Sequence, residues 1–217
     1  MKLLAVDTAL GACSVALLEG DEVLAHIFEV MERGHAERLA PMVSQAMAGI
    51  NFAALDLLAV TTGPGTFTGQ RVGLAFMRGL RLGLGIPLVG VTTLEAIATE
   101  AMAQAKRPRA AVIHDARRQE AYLLLQQEDQ ILQPPVVLDF AQAIDQIRSF
   151  GPCVLAGSGA DAAHQELGAA YTLSSVRQPD ALWVGRLARS SALPDRAPGP
   201  LYLRAPDAKL PGGKAIA

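Results

Sequence analysis

A chain of 217 residues is long enough for two packed lobes, each with a core of its own. Hydrophobic residues make up 51% and charged residues only 18%, which excludes a solvated, unfolded chain; a net charge of −2 argues against a protein that grips a nucleic-acid backbone over a broad basic face. No run approaches the ~20 apolar residues of a membrane span, and Asp7 cuts the N-terminal apolar stretch short of a signal-peptide core. With only Cys13 and Cys153, both in strand-like surroundings, the expectation is a cytoplasmic protein with buried free thiols.

Leu3 to Asp7 reads as a buried strand, Cys13 to Glu19 as a second and Glu22 to Glu29 as a third, with Gly20-Asp21 as the hairpin turn. A helix is expected over about 36–49, then a strand at Leu57–Thr62, a glycine-rich loop, and a long helix over about 69–84. Pro87 to Val91 reads as a strand. Thr92 and Glu95 have the spacing of a capping box that opens a helix to about Ala105, and Arg107-Pro108 ends it. The opening pattern then returns. Val112 to Asp115 matches the run into Asp7, Ala121 to Leu125 matches Cys13 to Leu17, and Asp129 to Leu132 matches Asp21 to Leu24, all at the offset that separates Asp7 from Asp115. Three ungapped matches at one offset favour an internal duplication. A helix over about 140–149, a strand at Cys153–Ala156, a Gly157-Ser158-Gly159 turn and a helix over about 181–192 follow; a proline-rich tail over 194–217 reads as extended. The fold class expected is α/β, two tandem ribonuclease-H-like lobes of the actin, Hsp70 and sugar-kinase kind, with residues 1–106 as the N-terminal lobe and 107–217 as a smaller C-terminal lobe carrying the tail.

The glycine loop, Gly63-Pro-Gly-Thr-Phe-Thr-Gly-Gln-Arg-Val-Gly73, is the most informative stretch. A Gly-rich turn opening a helix suits an anion, so Gly63 and Gly65, with Asp7 at the end of the first strand, are weak phosphate candidates. Against that, the loop lacks the Lys-Ser/Thr of a P-loop, and Leu10 follows Asp7-Thr8-Ala9 where an open turn would need glycine. The alternative is a tight strand-to-helix turn, with Thr66 or Thr68 as helix cap. Asp115 lies in a still less open turn, and Ser158 has no recognisable His/Asp partner, so no catalytic residue is assigned. His35 reads as a surface or helix-capping residue, and no metal site is assigned.

Both helices flanking the loop are more apolar than one sheet requires. In 36–50, the apolar arc is roughly 160° wide and includes Leu39, Met42, Val43 and Ala46. Pro41 should kink this helix unless it falls in the first turn. In 69–84, Ala75, Gly79 and Gly83 form a small-residue stripe, with Phe76 and Leu80 in a bulky stripe beside it and Val72 on the same side. These ten residues are expected to form an apolar patch that a partner covers, with an ATP-dependent phosphotransferase using Asp7 and Asp115 as the alternative function.

The chain resembles the TsaB (YeaZ) family in Leu4-Ala-Val-Asp-Thr8, Ala12-Cys-Ser-Val-Ala-Leu17, the glycine loop with Arg71 and Gly73, Gly90-Val-Thr-Thr-Leu94, Asp115-Ala-Arg117 with Glu120 and Tyr122, and Pro200-Leu-Tyr-Leu-Arg204. The resemblance implies an accessory, non-catalytic role in threonylcarbamoyl transfer to adenosine 37 of tRNA. It implies pairing with the catalytic subunit TsaD through helices 36–50 and 69–84 in a four-helix bundle, with the ATPase TsaE joining them and tRNA met through the complex. ATP and metal would sit on the partners, with no cofactor held tightly by this chain. The free chain could use the same patch to form a two-fold dimer. The catalytic relative carries His-x-x-x-His in this region; here Leu39 stands four residues after His35, so a metallopeptidase reading is the weakest.

Overall fold

The computed structural model describes residues 1–204. Strand β1 (Lys2–Asp7) pairs antiparallel with β2 (Ala12–Glu19) and parallel with β4 (Leu57–Gly63); β3 (Glu22–Val30) closes one edge and β5 (Leu88–Thr92) the other, giving the order β3-β2-β1-β4-β5. The second sheet repeats that order. Strand β6 (Arg109–Asp115) lies between β7 (Glu120–Gln127) and β9 (Val154–Ala156), with β8 (Gln130–Asp139) and β10 (Thr172–Leu173) at the edges. This shared topology, with Asp7 and Asp115 ending equivalent strands, is the duplicated ribonuclease-H-like architecture.

The central strands are buried on both faces, so β1, β2 and β4 read as near-continuous apolar runs rather than alternating ones. On the outer face of the first sheet lie α1 (His35–Ala46) and α2 (Phe67–Leu84), and on the outer face of the second lie α4 (Phe140–Phe150) and α5 (Ala160–Leu167). The inner layer is exchanged. Helix α3 (Thr93–Ala105), from the first half of the chain, packs Leu94, Ile97 and Ala101 on the second sheet; α6 (Ala181–Ser190), from the second half, packs Ala181, Val184 and Ala188 on the first. Each sheet is therefore covered by a helix from the other half of the chain, and the two helices touch in the middle.

The local signals explain most boundaries. Thr92 and Glu95 form the capping box that opens α3. Thr66 caps α2, its side chain accepting from the Gly69 N–H, so the helix starts at Phe67 and ends on left-handed Gly85. Helix α1 ends at Ala46 and runs through Pro41; that residue is exposed, so the helical bond it cannot make is lost on the solvent side. Strand β8 continues through Pro134 and Pro135 because it is an edge strand and its register shifts there. Helix α5 and the two-residue β10 are too short to show in the sequence pattern. The expected extended tail holds no helix or strand over 194–204, and its remainder lies outside the described residues. Among the described residues no helix is long and apolar enough to cross a membrane.

Candidate functional site

The glycine loop is held against the turn that follows β1. Thr8 is the hub: its Oγ1 donates to the Gly69 carbonyl at 2.7 Å and accepts from the Gly73 N–H at 3.0 Å, while the Thr66 N–H donates to the Ala9 carbonyl at 2.8 Å. The glycines permit this approach. A Cβ on Gly65 would lie 2.3 Å from the Ala9 carbonyl oxygen, and one on Gly69 2.2 Å from that of Thr8. Gly63 has φ +107, a conformation a side chain would strain, and the Gln70 amide lies across it. The loop thus spends its close approach on the chain's own backbone.

Asp7, expected as a weak phosphate candidate, is fully buried. Its Oδ1 accepts from Thr61 Oγ1 at 2.6 Å and from the Ala9 N–H at 3.1 Å, whereas Oδ2 has no partner. Burial raises its pKa to about 7, more than these hydrogen bonds lower it. A carboxyl enclosed in this way is not presented to a metal-bound phosphate. The space a side chain would take at Gly63 is filled by the Gln70 amide, and at Gly65 by Ala9.

His35 is not on the surface: it is buried at the start of α1, and its Nε2 lies 3.1 Å from the Leu10 carbonyl. Among the described residues no three His, Cys, Asp or Glu side chains come together in a group that could hold a metal. In the second half, Asp115 is exposed, and its Oδ1 accepts from the Arg117 N–H at 2.7 Å. Ser158 Oγ accepts from the Asp115 N–H, and burial depresses the pKa of neighbouring His114 to about 4, so its ring stays neutral.

The two outer helices differ from each other. On α1 the expected partner-facing residues Leu39, Met42, Val43 and Ala46 are all buried in the chain's own core, against β1, β2, β4 and α2. That corrects the exposed-patch expectation for these four: the wide apolar arc is met by the sheet on one side and by α2 on the other. What α1 leaves exposed is Ala36, Glu37, Ala40, Pro41, Ser44 and Gln45, a face of small and polar residues. On α2, Ala75, Gly79 and Gly83 are exposed, Val72, Phe76 and Leu80 are half-buried, and a Cβ on Gly79 or Gly83 would meet open space. Leu82, not singled out from the sequence, is 86% exposed.

Between the N-terminus of α2 and the β6–β7 turn lies a cleft of about 270 Å³. The chain returns across it after α6. The Leu201 N–H donates to the Thr62 carbonyl, Tyr202 stacks on Phe67 at 5.4 Å between ring centroids, and Arg71 donates to the Tyr202 hydroxyl. Arg204 pairs with Glu120 and donates to the Ala116 carbonyl. This strap, residues 198–204, joins the glycine loop to the second lobe. Its sequence is distinctive, but single-strand reading shows only an extended run, since each of its partners is distant in the chain. The Gln178 side chain, which accepts from the Gly11 N–H, is a second long-range tie of the same kind.

The family model described as TsaD, tRNA N6-adenosine threonylcarbamoyltransferase, matches residues 22–174. The chain is 36% identical over 172 residues to the tRNA threonylcarbamoyladenosine biosynthesis protein TsaB of Escherichia coli, covering 73% of this chain and 72% of that one. It is 33% identical to the Haemophilus influenzae protein of the same name, with 94% of each covered. A solved Pseudomonas aeruginosa structure, described as similar to the peptidase YeaZ, superposes with a TM-score of 0.78 at 31% identity, covering 94% of this chain and 99% of that one.

Proposed function

The chain belongs to the TsaB (YeaZ) family, and on that premise we propose that it serves tRNA threonylcarbamoyladenosine synthesis as a non-catalytic subunit. In this reading it pairs with TsaD through the outward face of α1 and α2, TsaE joins the pair, and tRNA is met through the complex. ATP and metal belong to the partners, and the assembly works in the cytoplasm, where the buried free thiols of Cys13 and Cys153 fit. The observation that carries the reading is the open small-residue stripe of α2, Ala75, Gly79 and Gly83, flanked by exposed Leu82 and set beside the small exposed residues of α1. Small residues let a second pair of helices approach closely, and half-buried Val72, Phe76 and Leu80 lie within reach beneath them.

The burial of Asp7 supports this reading: of the two strand-end acids, Asp7 is enclosed, with the glycine loop packed on its neighbouring turn, while Asp115 is exposed. The free chain could cover the same face with a second copy. Co-purification with TsaD, followed by a tRNA modification assay with each protein left out in turn, tests the reading. Modification is expected to need both proteins, and a chain that modifies tRNA without TsaD would overturn the non-catalytic assignment.

A further inference from the structure

We infer that the open edge of β3, with the groove beside it, is a docking site for an extended basic segment of a partner protein, taken up as a further strand. The backbone offers the template. The Met31 N–H donates to the Gly11 carbonyl, and Glu29 and Ile27 follow opposite Cys13 and Val15. Bonded and non-bonded pairs alternate in an antiparallel ladder, so Glu29 and Ile27 turn their N–H and C=O groups to β2, while His26, Phe28 and Val30 turn theirs outward. The strand is the first of its sheet, and among the described residues nothing bonds those outward groups. Such a row accepts an extended peptide through main-chain bonds.

The same three residues line a groove of about 480 Å³ on the face of the sheet away from α1 and α2, shared with Glu100 and Gln104 of α3 and with Val176 and Asp180 before α6. Phe28 is 38% exposed and Val30 77%, so its apolar part is uncovered. Its charge is unbalanced. The Asp180 carboxylate is met by His26 at 2.8 Å and accepts from the Leu182 N–H, but among the described residues Glu100 is met by the neutral side chains of Gln104 and Trp183 and by no ion pair. Burial, and after it the Asp180 carboxylate, raises the Glu100 pKa to about 7, by more than His26 and Arg186 lower it. The arginine of the groove, Arg177, is already committed to both oxygens of Asp161. At the two ends of the edge Glu22 and Glu32 are exposed and have no ion pair among the described residues. An incoming strand that carries Lys or Arg supplies the missing cation. Because side chains alternate, a basic residue beside Glu100 brings the residue two positions away over Phe28 or Val30, so the segment reads basic-x-apolar. A second copy fits worse, since it sets one acidic edge against another.

The test is a titration of the ¹⁵N-labelled full chain at pH 8, where Glu100 is charged, with a peptide in which Thr alternates with Lys, Val and Val, beside the same peptide with Glu for Lys. Slowed exchange with water is expected at the amides of His26, Phe28 and Val30 and not at those of Ile27 and Glu29, an alternation that an added strand produces and general contact does not. The Lys peptide should bind about fivefold more tightly than the Glu peptide, and Glu100→Gln should remove most of that preference. Val30→Pro deletes one outward N–H at the end of an edge strand, where proline is tolerated; it should weaken the Lys peptide about fivefold while the thermal melt stays near the parent's. No alternating protection with the Lys peptide, or equal affinity of the parent for both peptides, would overturn the inference. So would alternating protection in the peptide-free chain, which would put the chain's own residues on the edge or, where it grows with protein concentration, a second copy.

Discussion

Helices α1 and α2 lie side by side on one sheet and both carry more apolar surface than one sheet needs, yet they spend it differently. On α1 the excess is absorbed internally: Leu39, Met42 and Val43 are each at most 1% exposed. On α2 the core takes Leu74 and Met77, while Ala75, Gly79, Leu82 and Gly83 face outward with nothing over them. The difference teaches that a wide apolar arc does not distinguish a helix with two internal neighbours from one with an external partner. Small residues do better, because a glycine in a helix interior costs roughly 1 kcal/mol against alanine and gives the core nothing to pack. Two of them at exposed positions are best explained by a close approach from outside.

The contrast can be broken most strongly in α1. Leu39→Ala should cost about 3 kcal/mol of stability, seen as a lower midpoint in urea unfolding, since it leaves a cavity in the core. Next comes the glycine loop that leads from β4 into α2. Thr8→Val removes the hydroxyl that serves both Gly69 and Gly73 and should cost about 2 kcal/mol by the same measurement.

A pH series sharpens the standing of Asp7. Its folded pKa, about 7, is raised above an ordinary value of 3.8, so the buried carboxyl costs nothing below the lower value and most above the higher one. The stability advantage of Asp7→Asn over the parent should therefore grow from near zero at about pH 4 to a plateau above about pH 7, on the order of 4 kcal/mol. Taking the difference between the two proteins removes the opposing contribution of His114, whose depressed pKa makes stability fall as pH drops from 6.5 toward about 4. An advantage that does not vary with pH would mean that Asp7 is not the enclosed acid described above. The smallest expected effect is in the strap: Glu120→Gln should lose no more than about 1 kcal/mol, because its pair with Arg204 is half-exposed.

Much of the fold was legible because it repeats. The matches at Asp7 and Asp115, at Cys13 and Ala121, and at Asp21 and Asp129 announce two hairpins, and both sheets have them in the expected order. Thr92 with Glu95 marked α3 because a capping box is a contact between residues three apart. What was hidden depends on long range. That α3 covers the second sheet and α6 the first cannot be read from periodicity, which says that a helix has a buried face but not which sheet meets it. The same holds for His35, whose partner is the Leu10 carbonyl, and for Asp7, whose burial comes from β4 and the loop. Of the residues expected on an apolar patch, Ala75, Gly79 and Gly83 are exposed, whereas Leu39, Met42, Val43 and Ala46 are covered by the sheet and by α2, neighbours that periodicity alone does not reveal.

The pairing of Ala75→Glu with TsaD bears most directly on the proposed surface, measured by titration calorimetry beside a thermal melt of the variant alone. Ala75 is exposed and packs on nothing essential, so the melt should stay within about 0.5 kcal/mol of the parent while binding is lost. Unchanged affinity in a folded Ala75→Glu chain would contradict the proposal that TsaD docks on α2's outward face.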